Sequence, residues 1–317
     1  MGYELVKIGF AKNERVFSAL NRLGFSMKKA QNLCDKGRIL DSNDGILTKN
    51  QLFSGELFMI DYICYPKGLK PVFETDDFAV FEKPSGICSH PNGRNSPYNM
   101  YDEIWHLYGR EACVAHRLDA ETSGLLLVAK SKNSAKELKA LFEERKVLKS
   151  YLALVRGDLR SAGLRQFCAD DFSEFLGKLE FLSDFNGFVI DKSMSLGPLA
   201  GHTKQKMEIN PKGKRAVTLL RILELLENST LVECYPLTGR QHQIRLHLHS
   251  VGHAILGDPL YNLEKSDIER ILDNKMSEPE RVAKTGAKRL MLHAKGLVFD
   301  FRGQHYEIFS AKKFQNS

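Results

Sequence analysis

Nothing in this chain reads as a membrane span, a secretion signal, a metal cluster or a nucleotide-binding loop. Its apolar runs stay well below the roughly 20 residues that a helix needs to cross a bilayer, so no membrane partner is expected. The opening Met1-Gly2-Tyr3-Glu4-Leu5-Val6-Lys7 lacks a basic segment followed by a long apolar stretch. No secretory leader is therefore expected, and the cytoplasm is the expected compartment. The six cysteines, Cys34, Cys64, Cys88, Cys113, Cys168 and Cys234, are scattered without any Cys-x-x-Cys pair. That spacing argues against a zinc site and against a disulfide framework, and predicts reduced thiols. No Gly-rich dinucleotide loop or P-loop occurs. Internal repeats and low-complexity tracts are also missing.

What is present is size, apolar content and positive charge. A chain of 317 residues, 43% hydrophobic, is long for one domain and comfortable for two. Lys and Arg number 46 against 39 Asp and Glu, a formal net charge of +7, which favours a polyanionic partner. Residues 1–62 read as a small separate unit. Val16, Leu20 and Leu23 recur at near-helical spacing, and Met27 to Cys34 reads as a second helix with Ser26 as N-cap and Gly37 as its left-handed end. Arg38–Asp41 and Glu56–Asp61 read as strands joined through a polar turn at 42–45, giving two helices followed by a hairpin. Lys28, Lys29, Lys36 and Arg38 would form a basic surface able to track phosphates, although a merely solvated helix face is the plainer reading.

Residues 63–71, rich in Pro, Gly and Lys, read as a linker, and 72–317 as one larger domain. In it, Val72–Glu74 and Phe78–Glu82 read as adjacent strands, Lys83–Gly86 and His90–Gly93 as tight turns, and Leu125–Ala129 as a buried strand. A helix is expected over 133–146 with a Ser134/Glu137 capping box, then a strand opened by Tyr151. Residues 158–187 have no clear period, 216–223 and 230–235 look β-like, 262–288 read as a charged, mostly helical insertion, and 291–299 as a further strand.

The most informative stretch is His116-Arg117-Leu118-Asp119-Ala120-Glu121-Thr122-Ser123-Gly124-Leu125-Leu126-Leu127. A single carboxylate stands between a basic pair and a small polar turn, an arrangement suited to a nucleophile or proton shuttle beside a polyanion. Capping a turn, or pairing with Arg117, is the plainer role for such an Asp. The whole string, however, resembles the signature H-R-L-D-x-x-T-S-G-L-L-L of the RluA family of pseudouridine synthases. Thr238-Gly239-Arg240-Gln241-His242-Gln243-Ile244-Arg245-Leu246-His247 resembles that family's T-G-R-x-H-Q-I-R-x-H segment. Gly213-Lys214-Arg215-Ala216-Val217-Thr218, Gly257-Asp258-Pro259-Leu260-Tyr261 and Arg289-Leu290-Met291-Leu292-His293-Ala294 match further motifs. One departure is the run Asp300-Phe301-Arg302-Gly303, which lacks the usual His-Pro.

The resemblance implies conversion of uridine to pseudouridine in RNA, large-subunit ribosomal RNA before tRNA, without cofactor or metal, by a monomer. It implies an α+β fold whose catalytic domain has a central mixed, largely antiparallel sheet flanked by helices. In front stands a small α/β-hairpin module similar to the RNA-binding module of ribosomal protein S-four. Asp119 would be the nucleophile, attacking the sugar or removing its 2′ proton. Arg245 would keep that carboxylate ionised by lowering its pKa. Thr238 and Gln241 would cap the helix that carries Arg245. Tyr151 would stack on uracil with its hydroxyl available for proton transfer, and Arg117 would occupy the space left by the extruded nucleotide or hold its phosphate. Lys214, Arg240 and His242 would contact RNA. The histidines His242, His247, His249 and His253 lack an acidic companion and do not read as a metal site. Two other classes fit the residues less well: an inactive RNA-binding or assembly factor, against which Asp119, Tyr151 and Arg245 stand intact, and a glycosidase, for which no second acidic motif stands out.

Overall fold

The computed structural model describes residues 2–91, 98–172, 185–197, 206–312 and 314. Asn92 and Gly93 of the expected His90–Gly93 turn, and part of the 158–187 region, lie outside the described residues. Two compact units are formed. The first contains residues 1–68 together with 90–107, and the second 69–89 and 108–317. A boundary read from composition alone leaves 90–107 with the second unit.

The first unit opens on strand β1 (Tyr3–Arg15), followed by helices α1 (Val16–Arg22) and α2 (Met27–Asp35), then β2 (Ile39–Leu40) and β3 (Leu52–Tyr62). The sheet order is β1-β3-β2, with both pairings antiparallel. The reading of two helices then a hairpin therefore misses β1, because this strand buries only Ala11 fully and shows no clean alternation. The helices are as expected: Ser26 accepts from the Lys29 N–H, and Gly37 has φ +59°. Val16, Ala19, Leu20, Ala30, Leu33, Ile39 and Leu57 close a small core. Tyr62 is fully buried and donates to Asp102 at 3.0 Å, while the Asn99 amide donates to its hydroxyl. Asp102 and Glu103, on helix α3 (Met100–Tyr108), accept from the Tyr65 and Lys67 N–H groups. Within the stretch read as a linker, two backbone positions are held in this way.

The second unit is built on an eleven-stranded sheet. In chain order its strands are β4 (Pro71–Glu74), β5 (Phe78–Lys83), β6 (Cys113–Val114), β7 (Ser123–Ala129), β8 (Leu148–Arg156), β9 (Arg165–Gln166) and β10 (Phe188–Asp191). A separate two-stranded hairpin, β11 (Met194–Leu196) and β12 (Met207–Ile209), intervenes before β13 (Val217–Leu226), β14 (Ser229–Pro236), β15 (Leu292–Phe301) and β16 (Gln304–Phe309). The path is β4-β5-β7-β15-β8-β14-β13-β10-β9, with β6 beside β7 and β16 beside β15. Among the described residues only β7 and β15 run parallel. The fold is the expected α+β architecture on a mixed, largely antiparallel sheet.

Helix α4 (Lys132–Glu143) covers β7 through Ala135 and Leu138, which pack with Leu125 and Leu127. Its capping box is Ser131 with Ser134, one turn from the expected Ser134/Glu137 pair. Glu137 instead holds Arg302. Arg145, at φ +60°, turns the chain into β8. That strand starts at Leu148, so Tyr151 lies inside it and does not open it. The missing His-Pro at the end of β15 is replaced by a two-residue turn. Arg302 and Gly303 both have positive φ, and Phe301 pairs with Gln304, the backbone that a tight hairpin requires. The 262–288 insertion holds two helices, Lys265–Leu272 and Glu278–Thr285. No helix among the described residues is long and apolar enough to cross a membrane.

The parallel step is tight at Gly124, where φ is +111° and an added Cβ would lie 2.3 Å from the Ala294 carbonyl oxygen. Gly124→Ala is expected to destabilise the protein by at least roughly 1–3 kcal/mol from backbone strain alone. Urea denaturation checks this, and a wild-type midpoint would contradict it.

Candidate active site

Asp119 sits in the loop that enters β7, and the neighbouring segment 83–89 grips that loop from several sides. Gly86 N–H donates to the Ala120 carbonyl at 2.8 Å, and Ser85 Oγ donates to the Glu121 carbonyl at 2.6 Å. Ser89 Oγ donates to the Leu118 carbonyl and accepts from the Leu118 N–H, at 2.8 and 3.1 Å. Lys83 is fully buried and spends its three ammonium protons on the Pro84, Ile87 and Ala120 carbonyls, at 2.8, 2.8 and 3.0 Å. Burial pushes its pKa down to about 8, opposed by Cys88, Asp119 and Glu121. In the sequence Lys83–Gly86 reads as a tight turn that resembles the family's Lys-Pro-x-Gly turn. Its lysine is the central anchor of the Asp119 loop.

Facing Asp119 is a helix over Gln243–His249, hereafter α5. Its start differs from the expected Thr238/Gln241 capping box. Thr238 Oγ1 donates to Gln243 Oε1 at 2.6 Å, the Arg240 N–H donates to the same oxygen, and Gln243 Nε2 reaches the Val217 carbonyl and Thr218. Gln243, which sequence reasoning passed over, therefore seats the turn. His242 precedes the helix at φ +53°.

Arg245 is 3% exposed. Its Nε and Nη2 donate to the two oxygens of Asp258, each at 2.8 Å, and its Nη1 donates to Asp119 Oδ2 at 3.0 Å. Burial works against the charge on Arg245, but Asp258 and Asp119 outweigh it and hold its pKa above the usual range. Burial likewise opposes the charge on Asp258, which Arg245 and the Leu260 and Tyr261 N–H groups keep below the usual carboxylate range. Two carboxylates around one guanidinium leave one negative charge uncompensated. Asp258 is buried and saturated with donors, whereas the Asp119 side chain is 30% exposed. Among the described residues none donates a hydrogen bond to Asp119 Oδ1, so this oxygen is open to a substrate. The sequence motif contains Asp258, but only the fold shows it as the partner that orients Arg245.

His242 Nε2 lies 3.8 Å from Asp119 Oδ2, and its Nδ1 is 3.2 Å from the Tyr261 hydroxyl. Burial, and then the Arg245 charge, push its pKa down to about 4, so it is neutral near pH 7. Tyr261 lies under the Arg245 guanidinium, 5.4 Å from ring centroid to the charge centre, a cation–π contact. Tyr151 is buried on β8. Burial first, and the Asp119 charge second, push its pKa up, so the hydroxyl keeps its proton. Asp119, Arg245, His242 and Tyr151 thus converge.

Other expected contacts stand apart. Arg117 is exposed and pairs with no carboxylate of the described residues, so it is not the partner of Asp119. Lys214 is exposed in the turn before β13, with its N–H on the Met194 carbonyl. Arg240 donates from Nε to the Arg215 carbonyl. Lys28, Lys29, Lys36 and Arg38 belong to the first unit, where Lys28, Lys29, Ser26 and Asn32 line an open depression, and Arg38 lies over the Tyr3 ring. His247 is held between Thr218 Oγ1 and the Lys192 carbonyl. No group of His, Cys, Asp or Glu among the described residues has the arrangement of a metal site.

The insertion also reaches the site. Arg281, on the Glu278–Thr285 helix, donates to Glu121 Oε2 at 2.8 Å and to the Gly257 carbonyl at 3.2 Å. It therefore joins the residue two after Asp119 to the residue before Asp258.

A family model described as RNA pseudouridylate synthase matches residues 77–250, which contain Asp119, Tyr151 and Arg245. An RNA pseudouridine synthase of Helicobacter pylori is 37% identical over 93% of this chain and 90% of its own length. The ribosomal large subunit pseudouridine synthase D of Zymomonas mobilis is 30% identical, over 84% of this chain and 81% of its own. Among solved structures, human RNA pseudouridylate synthase domain containing 1 is 24% identical and superposes with a TM-score of 0.55, covering 78% of this chain and 84% of that one. That likeness concerns the fold. The chain belongs to the RNA pseudouridylate synthase family, in its RluA branch, and is an isomerase of uridine in RNA.

Removing the bridge from the insertion should loosen the geometry without removing a reacting group. Arg281→Glu is expected to lower kcat about tenfold or more, and the charge-swapped pair Arg281→Glu with Glu121→Arg to recover a good part of it. A swap no better than the single variant would show that the ion pair does not position the loop.

Proposed function

We propose that Asp119 is the group that acts on the ribose and that the target uridine lies in large-subunit ribosomal RNA. The reaction breaks the bond between uracil N1 and the sugar C1′, turns the base, and joins C5 to C1′. The C5 proton leaves and N1 gains one. A carboxylate assists either by attacking C1′ or by removing the 2′ proton, and both readings need an ionised oxygen free of protein donors. The open Oδ1 of Asp119, beside an Oδ2 held by Arg245, is the observation that supports this role. A preorganised ion pair costs no reorganisation at the moment of reaction.

Tyr151 offers a buried ring, its hydroxyl still protonated, as the surface against which uracil rests. Arg117, exposed and paired with no described carboxylate, is suited to fill the space left when the nucleotide leaves its stack. Lys214, Arg240 and His242 are the further RNA contacts in this reading. Ribosomal RNA is favoured by the name of the Zymomonas relative, and by that of the Vibrio parahaemolyticus ribosomal large subunit pseudouridine synthase C, 30% identical over 72% of this chain and 60% of its own length. The first unit, with Lys28, Lys29, Lys36 and Arg38, serves as the RNA-binding module, and the protein works as a monomer in the cytoplasm.

Release of tritium from RNA labelled at uridine C5 reports the reaction directly. Asp119→Asn is expected to release none while keeping RNA affinity within about tenfold of wild type; residual turnover would remove Asp119 from this role. Unmodified large-subunit ribosomal RNA should be a substrate and tRNA should not, and the reverse would reassign the target. Lys28→Gln with Lys29→Gln should flatten the log–log salt dependence of RNA binding by up to about 0.9 for each phosphate that is no longer neutralised. An unchanged slope would leave the first unit without a phosphate-tracking role.

A further inference from the structure

Two lysines of the second unit have pKa values pushed down to about 8 by burial, and they differ in what their protons do. Lys83 gives all of its protons to backbone carbonyls. Lys149 gives none to any described residue. It is half-buried, no carboxylate of the described residues pairs with it, and the charged neighbour that adds to the effect of burial is another cation, Arg145. A lysine so placed lowers stability unless something anionic arrives.

Its position says where that anion would come from. Alternate residues of a strand share a face, so Lys149 stands on the same face of β8 as Tyr151, about 6.7 Å along the strand. The ammonium lies against the loop that follows β14: a Cβ built on Gly239 would be 3.9 Å from Lys149 Nζ. That loop carries Arg240 and leads into His242, which faces Asp119. The lysine is therefore on the cleft wall, one side-chain step from the ring that takes the base. The sugar of a single nucleotide can span that step.

We propose that Lys149 receives a phosphate oxygen of the RNA strand adjacent to the target uridine, fixing the register of the backbone along β8 so that the ribose meets Asp119. The assignment rests on the reading of Asp119 and Tyr151 given above. In this role Lys149 is a binding residue: it neutralises a diester that is itself unchanged by the reaction, and no bond is made or broken at the lysine.

The test uses the full-length protein and total RNA, labelled with tritium at uridine C5, from cells lacking it, so that any natural target is present. Lys149→Met is expected to raise KM about tenfold while kcat stays within about threefold. It should also flatten the log–log dependence of KM on salt by about 0.7–0.9 between roughly 50 and 200 mM. Lys149→Arg should behave as wild type in both respects. Because Met removes a half-buried charge, its melting temperature should equal or exceed that of wild type. An unchanged KM and slope would overturn the proposal, as would a fall in kcat at constant KM, which would put the amine in the chemistry. A fall in melting temperature matched by the fall in activity would make it a structural prop. Asp119→Asn run alongside separates the two readings. If it still releases tritium, the site itself is misassigned and the lysine proposal falls with it. A silent Asp119→Asn beside a wild-type-like Lys149→Met defeats the phosphate contact alone.

Discussion

A guanidinium shared between two carboxylates organises this protein. Taking three charges into a protein interior costs several kcal/mol per ion unless the geometry is good and the remaining donors and acceptors are satisfied. Arg245 meets that condition on one side, where Asp258 takes a bidentate pair and two backbone N–H groups. On the other side it meets only one oxygen of Asp119. This asymmetry distinguishes the two acids. Both carboxylates touch the same cation, yet one is sealed and the other keeps an unengaged oxygen toward solvent.

Such a pair works only if the Asp119 loop is rigid, and the surrounding bonds are disposed to make it so. The turn that begins at Lys83 supplies donors to three carbonyl-bearing positions, Leu118, Ala120 and Glu121. The bond from Arg281 to Glu121 adds a tie from an insertion that composition alone marks only as charged and helical. Lys83 and Arg281 are both cations whose charge is spent on holding backbone or loop in place. They contrast with Arg117 and Lys149, which pair with no carboxylate of the described residues.

Much of this was legible in the residues. The His116–Leu127 string and the Thr238–His247 string locate Asp119 and Arg245, and the apolar run Leu125–Ala129 marks the buried strand between them and the core. Ser26 and Gly37 bracket α2 as their side-chain chemistry requires. The misses have physical causes. β1 buries too little of either face to leave a period-two pattern. The cap of α4 falls on Ser131 because Glu137 is drawn to Arg302, 165 residues away. Gln243 takes the capping role expected of Gln241 because its amide can satisfy Val217, Thr218 and Arg240 at once. The partnership of Asp258 with Arg245 and the anchoring by Lys83 depend on long-range packing, which local pattern cannot carry.

β15 lies between β7 and β8, the strand that follows Asp119 and the strand that holds Tyr151. Ser123 meets His293 across 170 residues of chain. Until that late segment has been synthesised and inserted, the two halves of the cleft have no strand to join them. Contacts this distant in sequence form slowly, and during synthesis the amino-terminal part folds first. A growing polypeptide that still lacks this segment therefore lacks the strand that sets β7 beside β8. The β15–β16 hairpin is thus the element that closes the sheet between the strand after Asp119 and the Tyr151 strand.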